Sequence, residues 1–355
     1  MRRSLLVGAF VLLALPRQAG AQAIKVEIDP GAGAQFAQQA GLPLDTLRAE
    51  LENELTHLFQ TYRLHDYLQS FGDAQSFATR GMGVDYASNF RAVMLGLAGN
   101  LSLNVEKGYL PTDTKTRPPA AGVGTNLTFM AGVNLGLIGL DGLRLFGNYF
   151  QRSGSFDELG AELSNWGVHA QLKLFGPGEE RLLNALLRWG GFDITSGVEH
   201  ANLRLTLGGK SWKRQIPVGM VAGESARIDL DIMGAFTMNT STFSIPLELT
   251  TNLRLLYILS LYGGVGFDWQ LGGKSEMAID LGGRMVGVVP SRNVSMDVGA
   301  AHVSASDSTT PSKGRLRGLL GLQANILMVK LFLQLNVVPD DPVLASVGFG
   351  ARVAF

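Results

Sequence analysis

Residues 93–105 read Val-Met-Leu-Gly-Leu-Ala-Gly-Asn-Leu-Ser-Leu-Asn-Val. In an extended chain Val93, Leu95, Leu97, Leu101, Leu103 and Val105 fall on one side, and Asn100, Ser102 and Asn104 on the other. Side chains alternate across a strand with period two, so this stretch is one strand with an apolar face and a hydrated face. The pattern returns down the chain. Leu127, Phe129, Ala131, Val133 and Leu135 oppose Asn126, Thr128 and Asn134, and Trp166, Val168, Ala170 and Leu172 oppose His169, Gln171 and Lys173. Leu203 and Leu205 oppose Asn202 and Arg204; Ile228, Leu230 and Ile232 oppose Arg227, Asp229 and Asp231; Met277, Ile279 and Leu281 oppose Glu276 and Asp280. One such strand suits any sandwich. Many of about ten residues, each with one greasy face, are the pattern of a transmembrane barrel. Hydrocarbon leaves no partner for a bare backbone group, so a spanning sheet must close on itself.

Composition agrees. The 355 residues are 46% apolar, only 17% are charged, and 45 are glycine. An ordinary soluble domain carries about 25% charged residues and about 7% glycine. Thirty basic residues balance thirty acidic ones, which gives no electrostatic footprint for nucleic acid. The absence of cysteine excludes a disulfide scaffold, a thiol nucleophile and a Cys-ligated zinc site. No His, Asp or Glu cluster has metal-ligand spacing, so neither a metal nor another cofactor is expected.

Met1-Arg2-Arg3, the apolar run Leu5–Leu15 and the small residues around Ala21 and Ala23 form an export signal over 1–23, with cleavage at Ala21 or Ala23. Its removal leaves a mildly acidic mature chain. At the other end Phe349, Ala351, Val353 and Phe355 alternate with Gly348, Gly350, Arg352 and Ala354. A last strand ending in Phe resembles the sorting signal of bacterial outer-membrane barrels, which implies that Phe349, Val353 and Phe355 are read by the barrel-assembly machinery.

The expected fold is therefore an all-β, transmembrane antiparallel β-barrel over 88–355. It has about 14 strands, or about 12 if the Pro217 stretch is not one, since single-chain bacterial barrels use even numbers. With the C-terminus in the periplasm, the polar stretches 107–121, 153–160, 305–314 and 339–342 fall outside. Ile138–Gly142 and Val289–Ser291 become short periplasmic turns. Trp166, Phe267, Trp269 and Phe355 sit at strand ends, where aromatic girdles form.

Residues 24–87 do not alternate. Leu47, Leu51, Leu55, Leu58 and Tyr62 recur at helical spacing, with Asp45 as N-cap, which predicts one amphipathic helix over 45–69 on the periplasmic side. It serves as a plug for the barrel, as a contact surface for a periplasmic protein, or as a helix merely seated against the barrel base. A second short helix is expected at 179–188.

The plan as a whole resembles the FadL-type outer-membrane transporters of hydrophobic compounds: an export signal, a segment of about sixty residues, a barrel of about fourteen strands and a terminal Phe. The mature start Ala23-Ile24-Lys25-Val26-Glu27 departs from the Asn-Pro-Ala expected of that family, so no hatch residues carry over. The resemblance implies a channel for small, hydrophobic solutes.

Arg204, Arg227, Asp229, Asp231, Arg254, Asp280 and Arg284 are read as lumen-lining. Both signs occur, so they suit a cross-barrel ion-pair network or a solute path rather than a single-sign filter. Two alternatives to a channel remain. One is a non-transporting barrel that anchors an envelope-spanning complex. The other is a lipid hydrolase using His302 and Ser304, two apart on one strand and beside the outer loop 305–314. A His-x-Ser pair is a common pattern, and the expectation is a protein that is not an enzyme. Its expected partners are outer-membrane lipids.

Overall fold

The computed structural model describes residues 22–28, 31–39, 43–61, 64–106, 120–176, 186–221, 224–340 and 342–355. The expected export signal and the helix at 179–188 lie outside the described residues, apart from their last few positions. Those belong to strands β1 and β6 and a turn.

The chain runs β1 (Gln22–Ile28), α1 (Ala32–Gln39), α2 (Leu44–Thr61), α3 (Leu64–Phe77), β2 (Val93–Val105), β3 (Ala121–Asn134), β4 (Leu143–Phe156) and β5 (Leu159–Phe175). It continues β6 (Leu187–Val221), β7 (Glu224–Leu255), β8 (Leu259–Val289), β9 (Val294–Thr309), β10 (Gly314–Ile326), β11 (Val329–Val338) and β12 (Val343–Ala354). All strands join one twelve-stranded sheet, antiparallel at every pairing. β2 to β8 and β10 to β12 close into a ring through the β7–β8 and β8–β10 pairings, while β9 and β1 branch from β8. No helix among the described residues is long and apolar enough to cross a membrane. The protein is an all-β closed barrel, as its alternation requires.

The sheet has twelve strands in all, and ten of them, β2 to β8 and β10 to β12, form the ring. Stretches predicted as separate pairs are single strands: β6, β7 and β8 are 35, 32 and 31 residues long. About nine to eleven residues cross a bilayer. These three therefore continue far beyond the barrel, where with β9 and β1 they form a second sheet. β8 changes neighbour on the way, pairing with β10 over Leu259–Trp269 and with β9 over Ser275–Val289. A bulge opposite Phe243 and Ser244, followed by Gly273 at φ +148°, marks the change. Such glycines and bulges read in sequence as strand ends; here they re-aim a strand that keeps going.

Polarity inverts where the sheet leaves the barrel. Along β7 the same face points inward throughout. Inside the ring it carries buried Thr242, Ser244, Glu248, Thr250 and Asn252, while Leu247 and Leu249 are exposed outside. Beyond the ring it carries buried Ala226, Ile228 and Leu230, while Asp231 is exposed. Lipid demands apolar side chains outside the barrel, whereas water beyond the membrane demands an ordinary dry core inside. That core joins Ile228, Leu230, Met277, Ile279, Leu281, Met285 and Val298 to Ile28 of β1, Phe36 and Ala37 of α1 and Leu68 of α3. The Phe36 ring lies on Gly287, where a Cβ would come within 2.5 Å of it.

The single helix expected over 45–69 is two. α2 ends at Thr61 and α3 starts at Leu64. α2 begins at Leu44, so Asp45 lies in its first turn rather than capping it. There its charge still favours the helix dipole. Leu47, Leu51, Leu55 and Leu58 are on α2, which packs beside α1, β1 and β6 of the second sheet. Tyr62 lies outside the described residues. β1 corrects the reading of 24–87 as free of alternation: Ile24, Val26 and Ile28 alternate with Lys25 and Glu27, and Gln22–Ile28 pairs with Gly299–Ala305.

One end of the ring holds the connections 135–142, 176–186, 256–258 and 327–328, and the C-terminus. The second sheet rises from the other end. Val289–Ser291, expected among the short turns, forms the far tip of that sheet instead. The N-terminal helices α1 and α2 share this long-hairpin end, opposite to the side expected for them.

Candidate functional site

The site is the barrel lumen, and the chain itself fills it. α3 and the segment after it run from the long-hairpin end to the short-turn end, where β2 begins. Every residue from Gly72 to Ser88 is buried. α3 touches β2, β3, β6, β7, β8, β9 and β12, strands from around the ring. It lies directly on β3, because Gly122 and Gly124 offer no side chains. A Cβ on Gly122 would stand 2.1 Å from the Ser70 carbonyl carbon, and one on Gly124 2.4 Å from that of Ala74. Gln75 then exchanges hydrogen bonds with the Thr125 backbone, donating to its carbonyl at 3.3 Å and accepting from its N–H at 3.2 Å.

Below α3 the lumen is crossed by charge. The Arg80 guanidinium pairs with Glu199 and, at 3.0 Å, with Asp268, and donates to Ser244 Oγ at 3.0 Å. Thr79 Oγ1 donates to the same Glu199 carboxylate at 2.7 Å. Arg317, fully buried, donates to Asp268 at 3.0 Å and to Asn336 Oδ1 at 2.6 Å and pairs with Glu248. The Tyr86 hydroxyl donates to Glu248 at 2.7 Å, and its ring stacks on Tyr262 with centroids 5.4 Å apart. Two guanidiniums thus hold three carboxylates from β6, β7 and β8 around the inserted chain.

Nearer the short-turn end, Arg352 of β12 donates to the Val84 carbonyl at 2.9 Å, stands 3.4 Å from Asp85 and covers the Phe332 ring at 4.4 Å. Asp85 Oδ1 accepts from the backbone N–H groups of Ala87 at 3.0 Å and Ser88 at 2.8 Å. Arg144 donates to Gln171 and to Asn89 Oδ1, which locks the last turn of the insert.

Of the residues expected to line the lumen, Arg254 faces it and donates to the Ala87 and Ser88 carbonyls at 3.2 and 3.1 Å. The other six do not. Arg227, Asp229, Asp231, Asp280 and Arg284 lie on the water-facing side of the second sheet, where Arg227 pairs with Asp229, Lys213 with Asp231 and Arg284 with Asp297. Arg284 is 80% exposed. Arg204 lies midway along β6, outward like His200, whose ring is 6.0 Å from lipid-side Trp166. The correction follows from the polarity inversion: beyond the membrane the polar face of a strand is its outer face.

The residues that do cross the lumen, Arg80, Glu199, Glu248, Asp268, Arg317 and Asp85, were missed as sites. Glu248 and Asp268 carried a signal, being lone acids between Leu247 and Leu249 and between Phe267 and Trp269. Arg80 and Asp85 carried little, because the alternation of Met82, Val84 and Tyr86 beside them is too short to mark a spanning strand.

His302 and Ser304 lie on the outward face of β9. His302 Nε2 stands 2.9 Å from Asp280 Oδ1, with side chains 52% and 72% exposed. Two solvated side chains on an open sheet face are a surface ion pair, and no cleft there excludes water. Phe349, Val353 and Phe355 face outward with the lipid-side residues.

Among solved structures the chain is similar to the translocator domain of the autotransporter NalP from Neisseria meningitidis: 10% identity over 76% of this chain and 91% of that one, TM-score 0.33. It is similar to the attachment invasion locus protein Ail of Yersinia pestis at 13% identity, 75% and 99% coverage, TM-score 0.25. It is similar to the toluene transporter TbuX of Ralstonia pickettii at 10% identity, 81% and 99% coverage, TM-score 0.25. Scores this low assign no function. No curated protein matches. The profile of the Lsa36-like family matches residues 31–355, and the chain belongs to that family.

Proposed function

We propose that this protein is an outer-membrane barrel sealed by its own N-terminal segment, which holds a folded sheet-and-helix unit at the cell surface. The single observation that carries the reading is the unbroken burial of Gly72–Ser88 within the ring. Short turns face the periplasm in such barrels and long hairpins face outward, which puts β1, α1, α2 and the second sheet outside. A partner for α2, expected in the periplasm, would then be met on the outer side. The terminal strand ending in Phe355 is proposed to serve assembly, and the outward apolar residues to meet outer-membrane lipid.

A channel for small, hydrophobic solutes is the second reading, and it requires the insert to move. One observation favours it. Asn100 Oδ1, both polar side-chain atoms of Asn104 and both ring nitrogens of His169 are buried in the lumen wall with no hydrogen-bond partner among the described residues. Buried polar groups normally find one, in protein or in ordered water, which suits an interior that admits water around the insert.

Planar-bilayer recording of the purified full chain separates the two. The sealed reading expects a silent baseline; steady conductance of the native protein would overturn it. An epitope inserted at the Pro290–Arg292 tip of the second sheet should bind antibody on intact cells. Binding only after permeabilisation would reverse the orientation.

A further inference from the structure

The short-turn end of the barrel carries apolar side chains where water-exposed turns ordinarily carry Gly, Asn and Asp. Leu137 and Ile138 in the β3–β4 connection, Leu256 and Tyr257 between β7 and β8, and Leu327 and Met328 between β10 and β11 are all more than half exposed. Leu327 is 93% exposed and Ile138 73%. Two of the turns also hold strained backbone. Leu256 and Tyr257 have φ of +49° and +58°, and Leu327 has φ of +55°. Tight hairpins place Gly or Asn at such positions, and a bulky residue there is an outlier. These turns accept strain to put large aliphatic and aromatic groups at their tips.

We infer that these tips are seated in the inner leaflet of the membrane, at the boundary of acyl chains and anionic phospholipid headgroups, and do not project into the periplasm. The inference rests on the proposed outer-membrane barrel. Strand length supports it. β11 has 10 residues, Val329–Val338, between the Leu327–Met328 tip and the polar Pro339-Asp340 turn. At about 3.4 Å per residue and a tilt of about 40° it climbs about 26 Å, and the apolar band of such barrels is about 25 Å tall. The band consumes the whole strand, so the tip falls at its inner edge.

Aromatic and charged residues mark the same level. Phe175, Tyr257 and Phe355 are exposed there, as an interfacial girdle requires. Arg91, Arg188, Arg254 and Lys330 ring the same mouth, while Asp141 and the Phe355 carboxylate are the acids near it that are not buried among the described residues. Lys330 Nζ donates to the Leu327 carbonyl at 2.5 Å, which places a cation beside the most exposed tip. Apolar tips under a cationic ring complement an anionic leaflet.

The chain has no cysteine, so single labels are clean. Leu327→Cys and Ile138→Cys, each carrying an environment-sensitive fluorophore, are reconstituted in phosphatidylcholine vesicles with and without phosphatidylglycerol. Leu333→Cys serves as the mid-belt control and Asp340→Cys as the outer aqueous one. The expected result is quenching of both tip labels by lipid carrying shallow nitroxides, protection from iodide, and a deeper shift with phosphatidylglycerol. Tip labels open to iodide and blind to lipid nitroxide, with Leu333→Cys quenched by lipid, would overturn the inference and leave the barrel standing. A Leu333→Cys label that is also aqueous would overturn the barrel itself.

Discussion

Replacing Arg80 by Met tests whether the lumen is held shut by charge. Met keeps an unbranched side chain of comparable length, so the insert retains its packing and loses only the guanidinium. Glu199 then keeps the hydroxyl hydrogen bond from Thr79 and His169 Nε2 at 3.8 Å but loses the guanidinium, and Asp268 is left to Arg317 alone. Arg80, Glu199 and Asp268 side chains are nearly inaccessible to solvent. Removing one partner of such a buried pair costs about 3–5 kcal/mol, mostly because the remaining charge is stranded. At about 1.4 kcal/mol per factor of ten, release of the insert becomes roughly a hundredfold or more as frequent. In planar bilayers Arg80→Met should convert a silent baseline into flickering conductance, and its thermal unfolding midpoint in detergent should fall. Adding Glu199→Gln removes the stranded charge while an oxygen still accepts from Thr79, so the double variant should sit closer to the parent than Arg80→Met does. An Arg80→Met protein as quiet and as stable as the parent would refute the reasoning. So would a Glu199→Gln change that simply adds its own damage.

Three further outcomes are expected. Gly124→Ala sets a Cβ against the Ala74 backbone, which cannot yield, so α3 should lift from β3 and lose the Gln75–Thr125 hydrogen bonds, at about 1–3 kcal/mol; a cysteine pair bridging α3 and β3 should then crosslink more slowly. Ile228→Ala, in the core of the second sheet, should cost about 2–5 kcal/mol and expose the outer unit to protease, while the heat-modifiable gel shift of the barrel persists. Asp85→Asn strands the buried Arg352 guanidinium, at about 3–5 kcal/mol, and should lower the unfolding midpoint in detergent at pH 7.

Alternation located nearly all of the barrel sheet because lipid and lumen write opposite demands onto successive residues of β2, β3, β5 and β12. The same rule misplaced six lumen candidates for a reason intrinsic to it. Period two reports that a strand has one wet and one dry face, and leaves open which way each points. In β7, Leu247 and Leu249 are dry because hydrocarbon covers them from outside, and Ile228 and Leu230 are dry because a protein core covers them from inside. Only the neighbour tells the two apart, and neighbours such as Phe36 of α1 lie about 190 residues away. The insert was illegible for the complementary reason. Gly81 and Gly83, at φ of +73° and +91°, bend the segment, and hydrogen bonds to walls on every side satisfy it. Met82, Val84, Tyr86 and Phe90 of the insert also pack on Met94, Met130, Phe146, Tyr262 and Phe332 of the wall, so the segment meets protein on every side and has neither a lipid face nor a water face. Its partners Glu199, Glu248 and Asp268 come from three strands and meet only when the ring closes. The charged site is thus a product of barrel closure, and a polar residue's place in a membrane barrel must be read together with the height at which its strand leaves the bilayer.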